Sequence, residues 1–330
     1  MAGLHWLGSW MMKSVVGMRN RRFDRGRNVS NVGVPVISVG NITVGGTGKT
    51  PVVQWIVRYL LASGHAPAIA LRGYKAHKGV SDEAEEHRAA LDGVPVLVGP
   101  RRVDTIKAAL QRGVGLDCVV LDDGFQHRFV HRDLDIVLID ARRRPDQDRL
   151  LPGGRLREPA RNLARADALI VTHADHADAD LNACLTAVHG KPPLAACSHV
   201  WARLDRHTPE GTTTVEKDAL DGMRIVTRFA VAGPQGLRDM ATSHGATIVH
   251  DCPAKDHARP TARDLDSLAN AAQGADAVLV SGKDWVVLEP LLVEHPLPCA
   301  VLVPQLELRF THGESELRNR IDSCLKDACT

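Results

Sequence analysis

Residues 36–51 constrain the chain more than any other stretch. They read Val36-Ile37-Ser38-Val39-Gly40-Asn41-Ile42-Thr43-Val44-Gly45-Gly46-Thr47-Gly48-Lys49-Thr50-Pro51. Val36 to Val39 is a largely apolar run suited to a buried strand, and residues 51–61 carry apolar side chains at helical spacing. Three glycines, Gly45, Gly46 and Gly48, crowd the turn between them. Strand, glycine-rich turn and helix, in that order, form the context that a phosphate-binding loop requires. Glycines let backbone N–H groups point at an anion, and the helix N-terminus adds a partial positive charge. In such a loop Lys49 reaches the terminal phosphates of a nucleotide and the Thr50 hydroxyl ligates Mg²⁺. Gly45, Gly46, Thr47, Gly48, Lys49 and Thr50 are therefore the expected nucleotide contacts. The first glycine of the usual eight-residue pattern is Thr43 here, and Val44 stands where partitioning-type ATPases carry a lysine.

Residues 117–127 read Asp-Cys-Val-Val-Leu-Asp122-Asp123-Gly124-Phe-Gln126-His127. An apolar run ending in aspartate has the form of the strand that lies beside a phosphate loop, where Asp122 would hold Mg²⁺ or its waters. Two adjacent carboxylates repel each other, and a bound dication relieves that repulsion. Further on, Leu151-Pro-Gly-Gly-Arg155-Leu-Arg157-Glu158-Pro159 is a loop stiffened by two prolines. Arg155 and Arg157 can offer forked donors to phosphate oxygens. Glu158 would orient one of them or touch a metal-bound water; the plainer alternative is a surface loop with an Arg–Glu pair. His131-Arg-Asp-Leu134 copies a protein-kinase catalytic loop by chance, since neither the following Asn nor an Asp-Phe-Gly is present.

Strands at 36–39, 67–71, 94–98, 117–122, 135–140 and 168–172 alternate with helical segments at 51–61, 103–111 and 159–166, which predicts a doubly wound sheet. From residue 181 the pattern changes. A strand at 195–204 leads through a Thr- and Gly-rich loop at 208–215 to a second αβ region with strands near 224–232, 246–250 and 276–281. Residues 299–308 can return antiparallel to 195–204. The expected fold is α/β, a mainly parallel sheet of the P-loop NTPase type, with a second, smaller α/β domain joined by a two-stranded hinge. Its parts are an N-terminal segment 1–30, a nucleotide domain 31–204, the smaller domain 205–298, and a return strand with a last helix, 299–330.

The block from Val39 to Pro51 resembles the signature of tetraacyldisaccharide 4'-kinases, which phosphorylate the lipid A precursor. Asp122-Asp-Gly-Phe-Gln-His127 and Leu151 to Pro159 resemble two further blocks of that family, in the family's order. The resemblance implies ATP and Mg²⁺ as cofactors, the lipid A disaccharide precursor as partner, and roles for Asp123 and His127 at the site. Arg72-Gly73-Tyr74 resembles the start of a family Arg-Gly-Tyr-Gly block, which implies a phosphate or substrate contact for Arg72. Ser81-Asp82-Glu83 is similar to the family's Gly-Asp-Glu, whose aspartate is the proposed general base; here that is Asp82. Asp256-His257 resembles the family's Asp-His, so His257 is the implied partner of Asp82. Alone, an Asp-His pair on a loop carries no assignment. The chain departs from the family pattern at Lys75, Ser81, Pro260 and Gly282.

Composition narrows the setting. Net charge is +2 and aromatics are 4% of 330 residues, which removes the argument for a nucleic-acid surface. Seven cysteines without a C-x-x-C pair suit reduced thiols in the cytosol. Leu4, Leu7, Met11, Val15 and Met18 recur at helical spacing, widened by Trp6 and Trp10, and are followed by Arg19, Arg21, Arg22, Arg25 and Arg27. The apolar part is about 15 residues, short of the roughly 20 that span a bilayer. Its arginines follow the apolar run, the reverse of a signal peptide. The segment reads as an interfacial helix on the cytoplasmic face of the inner membrane, or as a helix that packs on the domain. The rival to a kinase is a P-loop ATPase switch that controls a protein partner or membrane docking; a switch would need no base such as Asp82 with His257.

Overall fold

In the computed structural model, residues 13, 15–73, 82–231, 233–255 and 259–327 are described, Asp82 and Asp327 by their main chain only. They fall into two compact units, Met1–His199 with Leu308–Thr330, and Val200–Glu307.

The first unit begins with helix α1 (residues 15–24). Then come β1 (Val36–Asn41), α2 (Lys49–Ala62), β2 (Pro67–Leu71), α3 (Asp82–Ala90), β3 (Val96–Val98) and α4 (Arg102–Gln111). β4 (Cys118–Asp122), β5 (Leu134–Asp140), a 3-10 turn at Ala160–Arg165, β6 (Ala168–Thr172) and α5 (Ala179–His189) follow, and β7 (Ala195–Thr208) starts in this unit. The strands lie in the order β3-β2-β4-β1-β5-β6-β7 and pair in parallel. Every residue of β1, β2, β4, β5 and β6 is buried. Helices cover both faces of such a sheet, so its strands read as continuous apolar runs rather than alternating ones. Register sets Val39 opposite Asp122 on one side and Ile136 on the other, which brings the ends of β1 and β4 together.

The second unit holds β8 (Gly211–Glu216), β9 (Arg224–Arg228), α6 (Gln235–Ser243), β10 (Thr247–Asp251), α7 (Ala262–Ala271), β11 (Ala277–Val280) and α8 (Gly282–Leu292). β12 (Ala300–His312) leads back to the first unit and to α9 (Glu314–Asp327). β10, β9, β11 and β12 pair in parallel. β7 and β12 are neighbours. Thr311 Oγ1 donates to the Ala196 carbonyl at 3.2 Å in the first unit, and Gln305 Nε2 donates to Asp205 in the second, so the two strands run antiparallel. In the first unit's core, Leu317, Ile321 and Leu325 of α9 lie with Val53, Ile56 and Leu60 of α2.

Three local expectations change. The loop expected at 208–215 is a hairpin, in which β8 pairs antiparallel with β7 from Thr208↔Gly211 to Arg203↔Glu216. Gly211 turns the chain at φ +137°, and the β-branched Thr212 to Val215 then suit a strand. The helix expected at 159–166 is a 3-10 segment. The strand expected at 224–232 stops at Arg228, because the Ala230 amide donates to the Asp284 carboxylate instead of a sheet partner. The protein-kinase look-alike is structural: Asp133 accepts the Val36 amide at the head of β1, at 2.8 Å.

Candidate phosphate-transfer site

The glycine-rich loop leaves the end of β1 and enters α2 at Lys49. Gly48 caps the helix in the left-handed region, φ +76°. A Cβ built there would lie 2.3 Å from His199 Cε1, so only glycine lets the loop pass beneath that ring. Asn41 Nδ2 donates to Thr47 Oγ1 at 2.8 Å, and Thr172 Oγ1 at the end of β6 donates to the Thr47 carbonyl at 2.9 Å. Both bonds are buried, and they fix the loop to the ends of two strands.

Asp122 ends β4 and Asp123 follows in the left-handed region, φ +52°. A turn fits here because Gly40 has no side chain: a Cβ on it would stand 2.5 Å from that of Phe125. Lys49 Nζ lies 3.5 Å from Asp123 Oδ1. Arg157 Nη1 donates to both Asp123 oxygens, at 3.0 and 2.8 Å, and Arg102 Nη1 donates to the Asp123 carbonyl at 3.0 Å. Burial raises the Asp123 carboxyl, but Lys49 and Arg157 outweigh it and hold the group below the usual carboxylate range. Arg157 arrives because residues 155–157 run beside the start of the loop: Val44 N–H donates to the Arg155 carbonyl and Arg157 N–H to the Ile42 carbonyl.

Asp122 is buried and its Oδ2 lies 3.0 Å from His87 Nε2. Burial raises this carboxyl too, and the His87 hydrogen bond with the charges of Lys49 and Arg102 brings it below the usual range. Its Oδ1 is buried without a hydrogen-bond partner. A buried, unsatisfied carboxylate oxygen gains most from a cation, and oxygen donors suit a hard one. The Asp122 carboxylate thus fits a hard dication such as Mg²⁺. Among the described residues no three His, Cys, Asp or Glu side chains form a cage.

Glu158 is buried beneath this layer. Arg165 donates to it through two nitrogens at 2.7 and 2.8 Å, and Asn20, Asn162 and Gln126 donate as well. Burial works against its ionisation, but the Arg165 pair and these hydrogen bonds hold its pKa down to about 2. Asn20 belongs to α1, and Arg19 of the same helix donates to the Gln126 carbonyl. Arg128 donates to the Asn20 carbonyl at 3.3 Å and pairs with Asp24 at 2.8 Å. Gln126 in turn accepts from Arg157 at 3.1 Å. Helix α1 is therefore bonded directly to the support of Arg157.

Of the residues expected from sequence, the structure gathers Lys49, Asp122, Asp123 and Arg157 with the loop. Glu158 lies one layer behind, holding the support together through its own polar neighbours. His127 is half-buried; burial and the nearby Arg102 and Arg19 charges lower its pKa to about 4, so it is neutral at neutral pH. Arg72 is exposed after β2. Asp82 opens α3, its side chain lying outside the described residues, and His257 lies outside them altogether. So do residues 1–12 of the expected interfacial helix; Val15 and Met18 of α1 are exposed. Among the described residues no helix is long and apolar enough to cross a membrane.

Sequence reasoning missed His87, Gln126, Arg102 and Arg143. Arg142 and Arg144 grip Asp140 and Asp146. Arg143 between them has no carboxylate partner among the described residues, and its Nη1 lies 3.3 Å from where a Gly45 Cβ would stand. Three successive arginines beside a phosphate loop were the available signal.

A family model for tetraacyldisaccharide-1-P 4'-kinase matches residues 1–326. The chain belongs to the tetraacyldisaccharide 4'-kinase family. A relative named tetraacyldisaccharide 4'-kinase from Anaeromyxobacter sp. (strain Fw109-5) is 34% identical, over 97% of this chain and 90% of its own. Another of that name, from Geobacter sulfurreducens, is 35% identical over 83% and 80%. The crystal structure of the "apo" form of LpxK from Aquifex aeolicus in complex with ATP superposes with a TM-score of 0.75, at 25% identity, covering 97% of this chain and 98% of that one. In this member of the family, the glycine-rich loop follows β1 and the paired aspartates stand at the end of β4.

Proposed function

We propose that the chain is an ATP- and Mg²⁺-dependent kinase that transfers the γ-phosphoryl group to the 4'-hydroxyl of a tetraacyldisaccharide 1-phosphate, a step of lipid A biosynthesis. The observation that carries the reading is the convergence of Lys49 and Arg157 on Asp123, next to Asp122 with its unsatisfied oxygen. Amides of Gly45 to Thr50 cradle the phosphates, and Lys49, Arg157 and Arg143 set positive charge where the transferring group gathers negative charge. Thr50 and Asp122 would hold Mg²⁺, whose positive charge would offset the negative charge of the phosphates. Asp82, supported by His257, takes the 4'-hydroxyl proton as the new O–P bond forms, and the bond to the bridging oxygen breaks to release ADP. Arg72 and His127 line the acceptor phosphate or sugar, and Glu158 keeps Arg157's support rigid.

Membrane association through α1 and the residues before it belongs to the same reading. The lipid substrate resides in a bilayer, and exposed Val15 and Met18 next to a cluster of arginines suit the anionic cytosolic face of the inner membrane. The deciding experiment incubates the protein with labelled ATP and the disaccharide precursor in mixed micelles and identifies the product by mass spectrometry. A 4'-phosphorylated product, dependent on Mg²⁺, is expected. ATP hydrolysis at full rate without lipid, and no lipid product, would reject the kinase and favour an ATPase switch.

A further inference from the structure

Helix α3 is polar, with Glu83, Glu85, Glu86 and Arg88 in its sequence, and its buried positions are Ala84 and His87, continued by Leu91. That i, i+3, i+7 stripe is where an apolar side chain would pack the helix to the sheet. An imidazole with no exposed surface stands there instead. Its Nε2 meets Asp122 Oδ2 at 3.0 Å, and its Nδ1 has no hydrogen-bond partner. A carboxylate accepts, so Nε2 carries the hydrogen and donates.

We propose that His87 is a positioning residue for the cation site: its Nε2–H occupies one oxygen of Asp122 and leaves the other, Oδ1, committed to Mg²⁺. Ligating carboxylates held by an outer hydrogen bond bind metal in one fixed orientation, and losing that bond weakens affinity. The same bond ties α3 to the end of β4. Since α3 starts at Asp82, His87 fixes the helix that carries the proposed base against the strand that carries the proposed metal ligand. The inference rests on the kinase reading, which makes Asp122 the cation ligand.

The experiment titrates Mn²⁺ by electron paramagnetic resonance into the full chain with a non-hydrolysable ATP analogue, alongside analogue binding without metal and the Mg²⁺ dependence of kcat. His87→Leu should weaken Mn²⁺ roughly 10- to 100-fold, the range for outer-shell losses. Metal-free analogue binding should stay as in the wild type, and kcat should recover at high Mg²⁺. His87→Gln, whose Nε2 reaches as far as the imidazole Nε2, should restore Mn²⁺ affinity, and His87→Asn, which is shorter, should not. A purely packing role predicts that Leu is the most stable of the three and that metal affinity is unchanged in all of them. Wild-type Mn²⁺ affinity in His87→Leu, or, if that variant does not fold, equal affinities for Gln and Asn, would overturn the proposal. Asp122→Asn is the control that separates the two levels. If it too binds Mn²⁺ normally, the assignment of the cation site is wrong and the role of His87 falls with it; if only Asp122→Asn is impaired, the kinase reading stands and His87 is structural.

Discussion

Arg157 Nη1 reaches both oxygens of Asp123, at 3.0 and 2.8 Å, while Lys49 Nζ stands 3.5 Å from one of them. One carboxylate thus sets the position of two cations that arrive from the phosphate loop and from the 155–159 loop. Lys49→Ala leaves Arg157 and Arg102 in place around Asp123, so the fold should survive. Turnover should fall by about 10² or more, the scale for removing a preorganised electrostatic contact. Steady-state assay with circular dichroism checks this, and near-normal turnover would reject the loop assignment.

Gly48→Ala should harm the loop for two reasons. A left-handed backbone costs a non-glycine residue about 1–2 kcal/mol, and the new methyl collides with His199. Adding His199→Ala should recover the collision part and leave the backbone part. Urea unfolding of both variants and nucleotide titration would test it; a Gly48→Ala protein as stable as the wild type contradicts this loop geometry.

His127 and His199 both have pKa values lowered to about 4, in each case mainly by burial, with neighbouring arginines adding at His127 and His173 adding at His199. An unfolded histidine titrates near 6.5, so between about pH 6.5 and 4 the unfolded state binds more protons. Stability is then fully present above pH 6.5 and falls as pH drops towards 4, by on the order of 2–3 kcal/mol for each residue. Denaturant midpoints measured across this range should slope for the wild type, slope less in His199→Asn, and less again when His127 is replaced as well. A flat wild-type profile would contradict the burial of both rings.

How far these features could be read in advance depended on whether they were local. Lys49, Thr50, Asp122 and Asp123 belong to contiguous patterns whose geometry is set by a strand end and the next turn, so the residues identify themselves. Arg157 was visible because its loop carries two prolines and two glycines. His87 bonds to a residue 35 positions away and Thr172 to one 125 away, and neither type is tied to a motif. The polar character of α3 concealed the one clue, a histidine in step with Ala84 and Leu91. The 208–215 segment was misread because threonine serves loops and strands alike, and pairing with β7 decides between them. The stop of β9 at Arg228 hinged on Asp284, which is 54 residues from Ala230.

The proposed dyad of Asp82 and His257 predicts non-additive kinetics. Asp82→Asn and His257→Ala should each lower kcat with little effect on ATP affinity, and the double variant should be scarcely worse than the poorer single one. Losses that simply add in the double-mutant cycle would rule out a shared unit.

Helix α1 and the residues before it should separate under truncation. Deleting residues 1–12 removes apolar side chains without touching the bonds of Arg19 and Asn20, so it should weaken binding to anionic vesicles and raise KM for lipid with kcat retained. Deleting residues 1–24 also strips Glu158 of Asn20 and Gln126 of Arg19, so kcat should fall as well. Equal kcat for the two truncations would show that α1 does not support Arg157.

The passage of β7 and β12 between the units sets an order of assembly on the ribosome. Domains ordinarily fold as they emerge, the N-terminal one first. Here Leu317, Ile321 and Leu325 of α9 are part of the first unit's buried core and are synthesised after the whole of the second unit. Val200–Glu307 is complete as soon as its own residues leave the exit tunnel, whereas the unit bearing the phosphate loop must wait until α9 has emerged. The nascent catalytic half therefore passes through a stage with an open apolar seam along α2, and a chain cut short after Glu307 would keep every catalytic motif and lack the helix that covers this seam.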